Sequence, residues 1–391
     1  MSNPLQDPGF LRNPYPVFAA LRGTSPVLRM PGGGGRPSYL VTGYAEAREA
    51  FTDPRLSKDT ATFFAGKGTG RTLHPAVSRS MLATDPPRHT RLRSLVTKAF
   101  TPGAVARLRP YIARVTDELL DAWVPGEVSD AVESLAVPLP VTVICRLLGV
   151  PDADRAAVRT WSEELFAAGQ PQRIDAASHA VAGYMADLVE AKRRTPDDSL
   201  LHDLIRARDG EDRLGEDELV SLAVLLLVAG HETTANLIGN GLLALLQAPN
   251  ALHRLRDEPA LASSAVDELL RLDSPVSTAT FRFTTEDVRL GGTEIPAGSP
   301  VLIAPGAANH DPARFPAPDR FDLDRDTKGH LAFGHGIHRC LGAPLARAEG
   351  EIVFRALATR FPLLRLAVPA GELEWRNTRL VRGPVSLPVL P

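Results

Sequence analysis

Cysteine is nearly absent: the 391-residue chain has two, Cys145 and Cys340, too few for the disulfide framework of a small secreted protein. An excess of charge of one sign is missing as well. Forty-four basic residues face 46 acidic ones, a net of −2, so no overall field favours a nucleic-acid partner. The polar, proline-rich start has no basic segment followed by an apolar core and is not read as a secretory leader. Uninterrupted apolar runs are short. The longest, residues 222–229, falls far below the roughly 18 residues that a membrane helix needs. No repeat and no linker stands out. These absences point to a single domain over residues 1–391, cytoplasmic, with neither membrane nor nucleic acid as a partner.

What is present is ordinary globular composition, 44% hydrophobic and 23% charged, with 34 prolines, which sit more easily between helices than inside sheets. Helical periodicity dominates from about Thr84 to Pro275. Asp85, followed by Pro86 and Pro87, predicts a cap and first turn for a helix that stops near Pro102. Further helices are expected over residues 104–123, 155–168, 175–193 and 217–247, and another from Ser263 that ends before Pro275. Beyond Pro275 the segments are short, β-branched and broken by glycine, which predicts hairpins. Residues 37–43 form another strand candidate, and the tail 363–391 is hairpin-like. The Pro31–Gly35 tract reads as a loop tip. Gly66 to Gly70 lacks the Walker spacing and follows no strand, so it is no phosphate loop. The expected fold is mainly α with small β-sheets.

The two cysteines sit in different company. Cys145 lies in an apolar stretch and reads as a small buried hydrophobe. Cys340 lies in HLAFGHGIHRCLGAPLAR, residues 330–347, flanked by Gly334, Gly336 and Gly342. Glycine permits positive φ and a close approach of backbone to a flat ligand. A helix begins just after Cys340, and a helix N-terminus favours a thiolate, the form in which a cysteine binds iron. Two other readings are weaker. No separate base marks Cys340 as a nucleophile, and His335, His338 and Cys340 match no usual zinc spacing and lack a fourth ligand.

Residues 219–247 are apolar on nearly every face, as in a helix at the centre of a large core. Gly230, His231, Glu232, Thr233 and Thr234 interrupt it. Glycine inside a helix costs roughly 1 kcal/mol relative to Ala, and buried polar groups without partners cost more. Such a break often marks a functional site. The plainer alternative sends Glu232 to solvent and turns the threonines back onto the helix. No histidine follows at Ala235, so this is not a zinc-protease helix. Elsewhere Glu268 and Arg271 stand three apart on one helix, alone a surface pair worth under about 1 kcal/mol. His89 and Arg93 stand four apart and share a face, suited either to solvent or to an anionic carboxylate.

Together these segments resemble the cytochrome P-450 superfamily in its soluble bacterial form. Phe333-Gly334-x-Gly336-x-His338-x-Cys340-x-Gly342 is similar to the family's heme-binding loop, and Ala229-Gly230-His231-Glu232-Thr233 to its acid–alcohol motif. Glu268-x-x-Arg271, the Phe315–Phe321 region and the His89–Arg93 helix match further motifs, so the resemblance covers nearly the whole chain. It implies the mainly α P-450 fold, heme b (iron protoporphyrin IX) as cofactor, and insertion of one atom of dioxygen into a hydrophobic small molecule. It further implies Cys340 as the iron ligand, with Phe333 packed near the sulfur in the loop turned by Gly334. His89, Arg93, Arg282 and His338 would contact heme propionates. Ala229 and Gly230 would make room for dioxygen, Thr233 would donate a hydrogen bond toward it, and Glu232 would relay protons. Glu268 and Arg271 would form a structural ion network with Arg320 as third member. Electrons would come from NAD(P)H through a ferredoxin reductase and a ferredoxin, as separate proteins, to a monomer. Substrates of such enzymes are often secondary metabolites such as polyketides, with selectivity expected from residues 56–82, 160–190 and 276–281. A peroxide-driven peroxygenase has less need of Glu232 and Thr233, and a heme-based sensor has no segment left over for a partner.

Overall fold

The computed structural model describes residues 8–32, 37–66, 71–166, 170–209, 214–378 and 380–391. The readings made for residues 1–7, for Gly33–Gly35 of the loop tip and for residues 67–70 lie outside the described residues. The chain divides into two compact units. The first comprises Met1–Ser57, Ala113–Ala136 and Thr233–Pro391, and the second Lys58–Ile112 and Val137–Glu232. Its helices and small sheets make the fold mainly α, as expected.

Among the described residues the second unit contains helices and no strand. Arg88–Thr97 continues as a 3-10 turn, Lys98–Phe100, and stops before Pro102. Asp85 does not cap this helix. The position before it is Pro87, with no side-chain cap. The Asp85 carboxylate instead accepts the Lys58 backbone N–H at 3.1 Å, a partner 27 residues away that local spacing cannot reveal. Pro138–Leu148 is a helix that periodicity alone did not separate. Its prolines stand in the first turn, where no intrahelical N–H is lost, and Gly149 ends it at φ 71°. Cys145 on that helix is fully buried, and burial pushes its thiol up to about 12. Pro171–Arg194 holds the incoming chain through Asp175, which takes Arg71 Nε and Thr72 N, each at 2.9 Å.

Among the described residues all the sheets belong to the first unit. The five-stranded one runs Val27–Met30, Ser38–Val41, Pro300–Ile303, Arg282–Thr284, Leu56–Ser57. Tyr39 pairs with Val301 in parallel, and Arg282 pairs with Val301 from the other side in antiparallel register. Val288–Leu290 and Thr293–Ile295 form the expected hairpin, closed by Gly291 and Gly292 at φ 52° and 80°, the left-handed pair that a two-residue turn requires. The tail pairs Pro388–Leu390 with Arg365–Leu366 and with Ser129–Asp130. Helices Leu261–Leu272 and Ala343–Arg360 of the same unit pack on each other.

Helix Glu216–Gln247 begins in the second unit and ends in the first. By length and composition it would cross a membrane, yet 72% of its most apolar window is buried inside the protein, as in a core helix.

Glu349, on helix Ala343–Arg360, is fully buried, and burial pushes its carboxyl well above the usual range. The folded state therefore holds a proton that the unfolded chain releases above the ordinary glutamate value. The corresponding stability is complete below that value and is lost as pH rises toward the folded one. Glu349→Gln is expected to flatten the decline in stability between about pH 5 and about pH 8, read by urea unfolding at the two ends. A slope equal to that of the parent would contradict the neutral carboxyl.

Candidate active site

The loop around Cys340 is fixed by its own backbone. Leu331 N–H donates to Asn309 Oδ1 at 2.7 Å, Gly334 N–H to Leu331 O at 2.8 Å and Cys340 N–H to Phe333 O at 2.8 Å. Gly334 and Gly336 take φ 69° and 74°, as glycine in a tight loop allows. Gly342 does not: at φ −78° it is the ordinary residue before helix Ala343–Arg360. Cys340 thus stands two residues ahead of that helix's first flanking position, and its side chain is exposed. A Cβ on Gly336 would lie 2.9 Å from the Phe51 carbonyl oxygen. Gly336→Ala is therefore expected to cost about 1–3 kcal/mol, from the left-handed backbone and a clash with main chain. Gly342→Ala, whose Cβ meets nothing within 4 Å, should cost under about 1 kcal/mol. Urea unfolding of both variants checks the contrast.

Phe333 is buried, with the Arg347 guanidinium over its ring at 4.6 Å and the His330 ring 5.7 Å away. Asp267 Oδ1 accepts Arg347 Nε at 2.7 Å and lies 3.4 Å from His330 Nε2. Nothing in the sequence marks Asp267, which neighbours the motif glutamate and faces another way. On the same unit Arg282 is buried. Its Nη1 donates to Leu56 O at 3.2 Å, its Nη2 to Phe51 O at 3.5 Å, and it lies over the Phe51 ring. Arg282 and Gly336 thus approach one carbonyl. His338 is half-buried in a 3-10 turn, Gly336–His338.

The polar island lies in the middle of helix Glu216–Gln247. Leu225, Val228, Gly230 and Thr233 are half-exposed and Ala229 is exposed, whereas Leu226, Leu227, His231, Glu232 and Thr234 are buried. Positions 225, 228, 229 and 233 form one stripe of a helix, so this core helix opens along a single face at the motif. Glu232 does not reach solvent: it is 3% exposed, with His231 Nε2 3.9 Å from its carboxylate and His231 Nδ1 2.9 Å from Leu227 O. Gly230 has a role beyond the one expected. A Cβ there would meet Ile144 Cδ1 at 2.8 Å, so the missing side chain lets helix Pro138–Leu148 approach. On the second unit His89 is buried, and burial, aided by the Arg93 charge, lowers its basicity. Arg93 is half-buried on the same helix.

Glu268 and Arg271 are no surface pair. Both are fully buried, joined by two hydrogen bonds of 2.6 and 2.9 Å. Arg271 also donates to Asn309 O and Pro318 O at 3.1 and 2.8 Å. The third member is Arg325, whose Nε reaches Glu268 Oε1 at 3.2 Å. It is not Arg320, whose side chain is 71% exposed and pairs with Asp322. Arg320 contributes only its carbonyl, to Arg271 and Arg325.

These residues suit heme b. An exposed thiol stands at the tip of a glycine-turned loop ahead of a helix, and buried or half-buried imidazole and guanidinium groups suit carboxylates. Zinc is disfavoured, since no three His, Cys, Asp or Glu side chains cluster among the described residues. The comparisons agree. The family model for cytochrome P-450 matches residues 163–369. The cytochrome P-450 monooxygenase PikC of Streptomyces venezuelae is 47% identical over 97% of this chain and 91% of that protein. The 6-deoxyerythronolide B hydroxylase of Saccharopolyspora erythraea is 44% identical over 96% and 95%. The structure of the tirandamycin C-bound P-450 monooxygenase TamI superposes with a TM-score of 0.91 at 47% identity, over 98% of this chain and 99% of that one. The chain therefore belongs to the cytochrome P-450 family, as a heme b enzyme of the monooxygenase class.

Proposed function

We propose that Cys340 is the iron ligand and that the enzyme oxidises a hydrophobic, polyketide-like secondary metabolite. The observation that carries the first part is that Cys340 lies in a loop closed by its own N–H to Phe333 O and set just ahead of a helix. The helix dipole favours the thiolate, the form in which a cysteine would hold the heme iron. Bound heme supplies the activation of dioxygen, one atom of which enters a C–H or C=C bond while the other leaves as water.

The chain's own residues bind and move protons. Arg282 and His338 would hold heme carboxylates, and His89 and Arg93 carry groups suited to the same carboxylates. Glu232, buried beside His231, is the acid of the relay. Thr233, next in sequence and on the open face, presents a hydroxyl that passes protons onward. Ala229 keeps that face free of bulk. The names of the relatives support the substrate class: one acts on 6-deoxyerythronolide B, and another is bound to tirandamycin C. Electrons come from NAD(P)H through a separate ferredoxin reductase and ferredoxin, to a monomer in the cytoplasm.

The test is turnover of a panel of macrolactones with reductase, ferredoxin and NAD(P)H, by the parent and by Thr233→Ala. The parent is expected to form oxidised product. Thr233→Ala is expected to consume reductant at a similar rate with several-fold less product, the balance leaving as hydrogen peroxide. Full coupling in Thr233→Ala would remove the proton role. Turnover by added peroxide alone, indifferent to Thr233, would favour a peroxygenase.

A further inference from the structure

The loop that carries Cys340 is braced by a charge from a different helix. Asp267 lies on helix Leu261–Leu272. Its Oδ1 takes Arg347 Nε at 2.7 Å and sits 3.4 Å from His330 Nε2. Both cationic-capable partners bear on one ring: the Arg347 guanidinium is 4.6 Å from the Phe333 centroid, and the His330 ring is 5.7 Å from it. Phe333 in turn gives its carbonyl to the Cys340 N–H at 2.8 Å. One carboxylate therefore reaches the sulfur's residue through two side chains and one ring.

We propose that Asp267 is a positioning residue for the thiolate: it anchors Arg347 over Phe333 and cancels the guanidinium charge beside the Cys340 loop. The inference rests on Cys340 being the iron ligand. A cation near a thiolate withdraws charge from it and favours the reduced metal. Arg347 is only 29% exposed, so water and salt screen it incompletely. The paired carboxylate offsets that field while fixing where the guanidinium lies. Although burial opposes ionisation of Asp267, hydrogen bonds from His330 and Arg347 hold its carboxyl below the usual range, so it remains an anion at neutral pH.

The test uses the full-length, heme-loaded protein and its heme reduction potential. Asp267→Asn keeps the shape and removes the charge. It is expected to raise the potential by at least about 28 mV, a threefold shift of a one-electron equilibrium at 59 mV per decade. Asp267→Glu should stay near the parent. The double variant Asp267→Asn with Arg347→Gln should return toward the parent, because the unbalanced cation is gone, a rescue that a merely structural role would not produce. An unchanged potential in Asp267→Asn, or a double variant that keeps its shift, overturns the proposal. Should Asp267→Asn fail to fold, Arg347→Gln alone is expected to lower the potential, and no change there overturns it equally. A parent protein lacking the red-shifted Soret band of its reduced carbonyl complex would instead reject Cys340 as ligand, and the proposal would fall with it.

Discussion

Cys340→Ala loses the red-shifted Soret band of the reduced carbonyl complex, and product formation falls to background. That band reports a thiolate ligand, and no other cysteine can supply one: Cys145 is fully buried, with its thiol pushed up to about 12. The polypeptide itself should tolerate the change, because the loop is held by backbone N–H groups that alanine retains. Circular dichroism should therefore match the parent, separating loss of chemistry from loss of fold. The activity loss should exceed the roughly 10–100-fold that follows removal of a group supporting a metal ligand. An unchanged carbonyl band in this variant would exclude Cys340 as the ligand.

Glu268→Ala is the change expected to harm the fold most. Arg271 and Glu268 are both fully buried, and removing the carboxylate strands a guanidinium in the interior. Breaking a buried ion pair in this way costs about 3–5 kcal/mol, against roughly 5–15 kcal/mol of total stability for a typical domain. The damage spreads, because Glu268 Oε1 also takes the Asp322 N–H at 3.0 Å and Arg325 Nε at 3.2 Å. Soluble yield and urea midpoint should both fall sharply. Arginine substitutions locate the third member. Arg325→Ala should be clearly destabilising, because its guanidinium also donates to Pro316 O and Ala317 O at 2.6 and 3.1 Å. Arg320→Ala, a surface change, should stay within about 0.5 kcal/mol. The reverse ranking would restore Arg320 to the network.

Much of the site was legible because its signals are local. The glycines around Cys340, the break in the long apolar helix and the i,i+3 and i,i+4 pairs are patterns within one element, and the comparisons establish the family they resemble. What the sequence hid are partnerships set by packing. The Asp85 carboxylate found the Lys58 backbone because the chain folds back past it. Arg320 and Arg325 lie in one run, and only the three-dimensional turn decides which points inward. On their spacing alone Glu268 and Arg271 read as a surface pair, because burial is a property of neighbours such as Phe315, which lies 5.6 Å from the Arg271 guanidinium. The motif reserves the space at Gly230 for a ligand, whereas part of that space belongs to Ile144 from another helix.

The order in which the two units are threaded has a consequence for how the chain is made. The second unit is complete once Glu232 has been synthesised, but the first collects segments from Met1 to Pro391. Its sheet cannot close until Pro300–Ile303 reaches Ser38–Val41, and Arg382 ties the carbonyls of Leu11 and Arg12 to Asp273 only near the end. Emerging from a ribosome, the helical unit is free to form early, while the opening residues wait for almost the whole chain. The Cys340 loop follows every residue of the helical unit in the chain, so it is delivered only after that unit has been made.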